Sequence, residues 1–266
     1  INSGIKKNVG GNGMKQFKKD KLKVKIFQSR EEMGETAASE SAEILRKLLS
    51  GKEEINCVFA AAPSQNELLK ALCKQPGIDW NRVNAFHMDE YVGLDQEHIA
   101  SFAHFLKNAI FDQLPFKSVN LIHGEADPEQ ACERYSALLE KFPPDFVFMG
   151  IGENGHIAFN DPGVADFHDP KKIKMVKLDQ TCRMQQVHDK CFDSLENVPE
   201  YALTVTIPVL VETPYICCVV PGEKKKDAVR ETINGIVSEK CPATILREQP
   251  HAILYLDRES AKELVI

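Results

Sequence analysis

The spacing of apolar residues changes period along this chain, and the change recurs. Residues 23–27, KVKIF, alternate apolar and polar like a half-buried strand, and residues 30–49 then carry apolar side chains at helical intervals. A continuous apolar run at 55–62, a helical pattern at 64–73 and a strand pattern at 83–88 follow. Helical patterns at 102–114 and 128–142 flank a short strand at 119–123. Strand patterns at 145–150, 172–178, 202–208 and 215–220 precede a helix at 224–235 and a last strand at 251–257. This alternation predicts an α/β fold, a mostly parallel sheet with helices on both faces. No repeat or linker interrupts it, so residues 14–266 are expected to form a single domain. Residues 1–13 are aperiodic and rich in Gly and Asn, and are expected to be a disordered leader or an expression remnant, with Met14 a natural start.

Composition narrows the partners. A chain that is 43% hydrophobic and 27% charged belongs with ordinary globular proteins. A formal charge of -6 argues against nucleic acid or an anionic membrane as the main partner, and leaves room for a small anionic ligand. No apolar run approaches the roughly 18 residues of a membrane helix. The N-terminal stretch lacks the apolar core of a secretory signal, so a cytoplasmic location is expected. The 8 cysteines form no CxxC pair, and several sit in apolar runs such as YICCVV. Reduced, mostly buried thiols and no metal site are expected.

In a parallel sheet, ligands bind beyond the carboxyl ends of the strands, so the residues after each strand weigh most. After the run at 55–62, Ser64 stands three residues before Glu67, a capping-box spacing at a helix start. Such an N-terminus suits phosphate; because Pro63 donates no N–H, an anion would rely on Ser64, Gln65 and Asn66. After the strand at 83–88 come Asp89 and Glu90. Neighbours on an extended backbone point to opposite faces, so one acid can face a pocket while the other turns to a structural partner. A partly desolvated carboxylate there is a credible general base.

The segment DFVFMGIGENGHIAFNDPG places Gly150, Gly152 and Gly155 in GxGxxG spacing. A dinucleotide site would need a long helix starting within these glycines, but Pro162 follows too soon. The alternative is that the glycines admit close backbone approach and leave Asn154, His156 and Asp161 together on a short turn. An imidazole between an amide and a carboxylate is the local recipe for an oriented acid/base group.

Taken together, FHMDEYVGL, FVFMGIGENGHIAFNDP, NVPEYALTVTIPVL and VVPGEKKKDAV resemble the glucosamine-6-phosphate deaminase/isomerase family in order and spacing. The resemblance runs from about Lys23 to the end. It implies a three-layer, Rossmann-like fold shared with 6-phosphogluconolactonases, and no cofactor. It also implies aldose–ketose isomerisation of a hexosamine 6-phosphate with loss of ammonia. Asp89 would be the base between C2 and C1. His156 would catalyse ring opening, with Asn154 and Asp161 tuning it. The substrate-binding residues would be Ser64, Gln65, Glu90, Gly152 and Lys225, the last at the family's phosphate-binding lysine. The partner is then a small phosphosugar, with homo-oligomers possible as in related proteins.

Four positions depart from the family pattern. The phosphate loop reads AAAPSQN in place of a Thr-Gly-Gly-Thr-Pro turn. Asp161 is one methylene shorter than the usual Glu. Asn154 replaces an Asp found in some members. The arginine expected before a Phe-Phe pair is missing, leaving Arg183, His188 or Lys190 as substitutes. These changes cluster on phosphate grip and ring opening, which points to a divergent sugar-phosphate isomerase for a different epimer such as galactosamine 6-phosphate. The alternatives are a 6-phosphogluconolactonase-like hydrolase, disfavoured because HIAFNDP replaces that family's Ser-Leu-Phe, and a non-catalytic sugar-phosphate sensor. GVADFHDPKK lacks the serine pair of allosteric members, so activation by N-acetylglucosamine 6-phosphate is not expected.

Overall fold

Successive strand side chains enter opposite cores, and this period of two builds a sheet covered on both faces. The computed structural model describes residues 14–265 and the two-residue strand β1 (Asn8–Val9); the remainder of the leader expected at 1–13 lies outside the described residues. In β8 (Phe146–Met149), Phe146 and Phe148 share one core with Cys57 and Phe59 of β4 (Ile55–Phe59) and with Cys217 and Val219 of β11 (Tyr215–Val220). Val147 and Met149 face the other core with Val58, Cys218 and Val220. Phe148 stacks on Phe59 at 4.9 Å, tying β8 to β4, and on Phe146 of its own strand at 4.4 Å.

The remaining strands are β2 (Lys15–Lys19), β3 (Leu22–Phe27), β5 (Val83–His87), β7 (Ser118–Asn120) and β12 (Ala252–Asp257). Among the described residues the sheet runs β1-β2-β3-β12-β11-β8-β4-β5-β7. From β3 to β7 every pairing is parallel, and β1 and β2 add an antiparallel edge. The edge hairpin escapes the sequence pattern because its strand is mostly lysine. The patterns at 172–178 and 202–208 do form strands, β9 (Ile173–Lys177) and β10 (Tyr201–Val205), but outside the main sheet. They join β6 (Asp89–Tyr91) in a separate antiparallel sheet ordered β6-β10-β9.

Helix starts obey local chemistry. Ser29 caps α1 (Arg30–Gly51), accepting from the Glu32 N–H at 3.1 Å. Asp127 caps α4 (Pro128–Lys141), with Pro128 in the first turn. The capping box expected at Ser64 and Glu67 does not form. Pro63–Gln65 wind into a 3-10 turn ahead of α2 (Asn66–Leu72), whose cap has no side-chain bond. Glu67 is drawn instead to Arg30, which donates to it at 3.0 and 3.1 Å. The helix predicted at 102–114 is α3 (Phe102–Leu106) continued by a π-helical turn, Lys107–Phe111.

Gly34 lets α1 and α2 approach. A Cβ there would lie 2.5 Å from the Glu67 Cβ and 2.8 Å from its carbonyl carbon. Gly34→Val is expected to lower stability by about 1–3 kcal/mol through overpacking, read as a lower urea midpoint; an unchanged midpoint would show that the two helices give way freely.

Candidate functional site

Four neighbouring strands, β11, β8, β4 and β5, run parallel, so their carboxyl ends open on one rim. One cavity is lined from all four: Ala60–Gln65 after β4, Met88 and Asp89 after β5, Gly150–Gly152 after β8, and Lys225 after β11. It encloses about 60 Å³ and adjoins a second cavity of about 730 Å³ that shares Ala61, Ala62 and Phe102.

His156 lies on the turn after β8, 7% exposed. Its Nδ1 is 2.7 Å from Asn154 Oδ1 and 3.0 Å from Asp161 Oδ1, and its backbone N–H donates to Asn154 Oδ1 at 3.0 Å. With Nδ1 between two acceptors, the proton sits on that nitrogen and the Nε2 lone pair is left for the cavity. The missing methylene of Asp161 does not break this contact. Asp161 also accepts from Asn154 Nδ2 at 3.2 Å and from the Asp179 N–H at 3.2 Å. Burial alone would raise its pKa, but the hydrogen bond and charge of His156, with the Asn154 and Asp179 donors, hold it below the ordinary value. Asn154 gives its second bond to Asp179, 2.8 Å away. A carboxylate therefore stands behind the neutral amide.

The glycine motif is explained without a nucleotide. A Cβ on Gly152 would overlap the His156 ring, and one on Gly150 would press on Gln65 Nε2 at 3.0 Å. Gly155 has φ +84°, a left-handed turn, and Ala158 beside the cavity also has positive φ, 49°. No helix follows; the turn closes by an Ile157–Asn160 bridge.

Asp89 and Glu90 take opposite faces, as the extended backbone requires. Asp89 lines the cavity, buried and with no hydrogen bond to its carboxylate among the described residues, and its pKa is well above the ordinary value, first through burial and then through the charges of Glu90 and Asp161. Glu90 is not a lining residue, a correction to its expected place in substrate binding. Its carboxylate accepts from the backbone N–H groups of Tyr91, Phe102 and Ala103 at 2.9–3.1 Å and so holds α3 against β6. Burial pushes its pKa up to about 7 against those bonds. Behind both acids, buried His87 accepts the Ile122 N–H at 2.8 Å and is kept neutral, its pKa lowered to about 3 by burial.

At the far side, Lys225 is buried with no ion pair or hydrogen bond to its ammonium among the described residues; burial lowers its pKa, opposed by the more distant charges of Asp189 and Glu153. Ser64 Oγ accepts from Gln65 Nε2 at 3.2 Å, and Gln65 Nε2 also donates to the Val219 carbonyl. Gln65 Oε1 is buried without a partner. Of the three candidates to replace the missing arginine, Arg183 is engaged with the carbonyls of Leu195 and Val198, and His188 with Glu153. Lys190 lines only the outer cavity. Sequence reasoning missed Gln185 and Gln186, which line the inner cavity from α5 (Gln180–His188), and Phe102, which lines both cavities. The weak amphipathic pattern of α5 gave no signal for it.

The sequence profile of the family described as Glucosamine-6-phosphate isomerases/6-phosphogluconolactonase matches residues 28–255. A glucosamine-6-phosphate deaminase of Exiguobacterium sp. is 34% identical over 219 residues, covering 82% of this chain and 84% of that protein. One from Bacillus cereus is 33% identical over 240 residues, 90% of this chain and 88% of its own. Among solved structures, a monomeric glucosamine-6-phosphate deaminase superposes with a TM-score of 0.81 at 27% identity, over 90% of this chain and 98% of that one. The 6-phosphogluconolactonase from Trypanosoma brucei, 15% identical, covers 91% of this chain and 98% of its own with a TM-score of 0.75, and shares the fold. The chain belongs to the glucosamine-6-phosphate isomerase/6-phosphogluconolactonase family of enzymes. No helix among the described residues is long and apolar enough to cross a membrane.

Glu90 makes stability depend on pH. The folded chain keeps its proton up to about pH 7, whereas the unfolded chain releases it near 4.5, so folding takes up a proton between those values. Stability should fall as pH rises from 4.5 to 7, by about 3 kcal/mol for this group, and Asp89 acts in the same direction. Urea midpoints across that range should decline for the wild type and less steeply for Glu90→Gln; equal slopes would remove Glu90 as the cause.

Proposed function

We propose that this enzyme converts a hexosamine 6-phosphate to a ketohexose 6-phosphate and ammonia. The observation that carries the reading is an unpaired buried carboxylate, Asp89, and an oriented imidazole, His156, lining one cavity. Nε2 of His156 relays the proton between the anomeric hydroxyl and the ring oxygen, opening the pyranose. Asn154 and Asp161 hold the ring and stabilise it when protonated. Asp89 takes the C2 proton and returns it to C1 while a proton passes from the amino nitrogen to O1, turning the amino-aldose into a ketimine. Water then adds at C2 and ammonia leaves. A carboxylate with a raised pKa is suited to this, because it gives the proton back more readily than an ordinary aspartate.

Lys225 takes the phosphate with Ser64. An uncompensated buried ammonium requires an anion, and the reaction supplies one. The inner 60 Å³ holds about two waters, so the sugar reaches into the adjoining space past Phe102. Epimer preference follows from the altered loop, where the Gln65 amide stands in place of glycine backbone. Galactosamine 6-phosphate is the epimer we expect to be turned over beside or ahead of glucosamine 6-phosphate.

Ammonia release from both epimers tests the reading directly. Asp89→Asn should reduce kcat by ~10²–10⁴-fold with KM little changed. Lys225→Ala should chiefly raise KM. Absence of ammonia from either epimer, with hydrolysis of 6-phosphogluconolactone instead, would reassign the enzyme to the lactonase branch; binding without turnover of any of these would make it a sensor.

A further inference from the structure

Cys182 shares the buried corner behind His156. One imidazole nitrogen of His156, one carboxylate oxygen of Asp161 and the Cys182 sulfur all lie within 4.8 Å of one another, and all three side chains are buried. Among the described residues no other trio of His, Cys, Asp or Glu is so placed. The corner is held by Asp179, whose Oδ1 accepts the Cys182 N–H at 2.6 Å while Oδ2 accepts from Asn154. The first turn of α5 is thus clamped to the turn after β8 with the sulfur facing the imidazole–carboxylate pair. No ligand spacing was visible in the sequence, because the three residues come from two separate segments joined by this cap.

The donor set is that of a Zn²⁺-class cation. Imidazole, carboxylate and thiolate together suit a borderline-soft ion and disfavour Mg²⁺ or Ca²⁺, which take oxygen. Metal–ligand distances of about 2.0–2.3 Å place tetrahedral ligands roughly 3.3–3.8 Å apart, so the widest pair here must close by about 1 Å. The nitrogen facing Asp161 is Nδ1, 3.0 Å from its Oδ1.

We propose that His156, Asp161 and Cys182 form an inhibitory site for a thiophilic divalent cation. The cation bonds Nδ1, a carboxylate oxygen of Asp161 and the sulfur, with water in the fourth position. The thiol proton leaves to solvent, and the imidazole proton moves from Nδ1 to Nε2. That transfer removes the lone pair facing the cavity and fixes the ring, so ring opening stops. The inhibition rests on the role proposed for His156 above; the binding does not.

The two halves are tested separately. Co²⁺ titrated into the metal-stripped chain should give a thiolate-to-cobalt charge-transfer band in the near ultraviolet. It should saturate at one ion per chain, be bleached by Zn²⁺ and vanish in both Cys182→Ser and Cys182→Ala. In the ammonia-release assay, Zn²⁺ should inhibit the wild type reversibly with chelator. The two Cys182 variants should turn over substrate at near wild-type rates and need at least 10–100-fold more Zn²⁺ for the same inhibition. A missing thiolate band, or equal Zn²⁺ sensitivity in wild type and variants, would overturn the site. A wild type that shows the band but releases no ammonia without metal would leave the site standing and overturn the deaminase reading.

Discussion

Two groups of opposite charge type, the Asp89 carboxyl and the Lys225 amine, are buried with no hydrogen-bond or ion-pair partner for their side chains among the described residues. Each is unfavourable alone, by several kcal/mol for an unpaired buried ion. The sheet is what makes that tolerable. Asp89 follows β5 and Lys225 follows β11, with β4 and β8 between them. Three strand spacings keep the two backbones roughly 14 Å apart, too far for the side chains to neutralise each other. The two apolar cores on either face supply the rigidity that prevents collapse of that gap.

Much of this frame is legible in the chain because a fully buried parallel strand has a simple signature. Runs such as FVFM and YICCVV divide between two cores with no polar face to confuse them. What pattern cannot give is sheet membership. IKMVK and YALTV alternate like the others, but their pairing with Asp89–Tyr91 depends on contacts between segments distant in sequence. Local rules also yield to tertiary competition. Ser64 and Glu67 have capping-box spacing, but Arg30 claims Glu67 and Pro63 turns the backbone into a 3-10 segment. Glu90 shows the same effect in the site, since its neighbour's orientation was readable and its three backbone donors were not.

The turn after β8 was more legible than the opposite wall of the cavity, and the reason is sequence distance. Asn154, His156 and Asp161 are close in the chain, so their hydrogen bonds follow from one short segment. Asp179 completes the arrangement from beyond β9 and places a carboxylate behind Asn154 that the local sequence lacks. The departures from the family pattern at positions 154 and 161 therefore leave the imidazole oriented, and the divergence falls on the opposite wall of the cavity.

On that wall cationic donors are scarce. Arg183 donates to two backbone carbonyls between residues 195 and 198, and His188 turns to Glu153, so neither is free to grip an anion. What lines the inner cavity is Lys225 with the neutral amides of Gln65, Gln185 and Gln186. A guanidinium fork would hold a phosphate by charge and shape together, whereas amides hold it by geometry alone. On the proposed function, orientation of the sugar would come from both ends at once: the point charge of Lys225 would anchor the phosphate, and amide groups left free to pair, such as Gln65 Oε1, would read the hydroxyls between it and Asp89. Neutral readers of this kind distinguish epimers by which hydroxyl finds a partner, and a buried amide left unpaired by the wrong epimer is the penalty that enforces the choice.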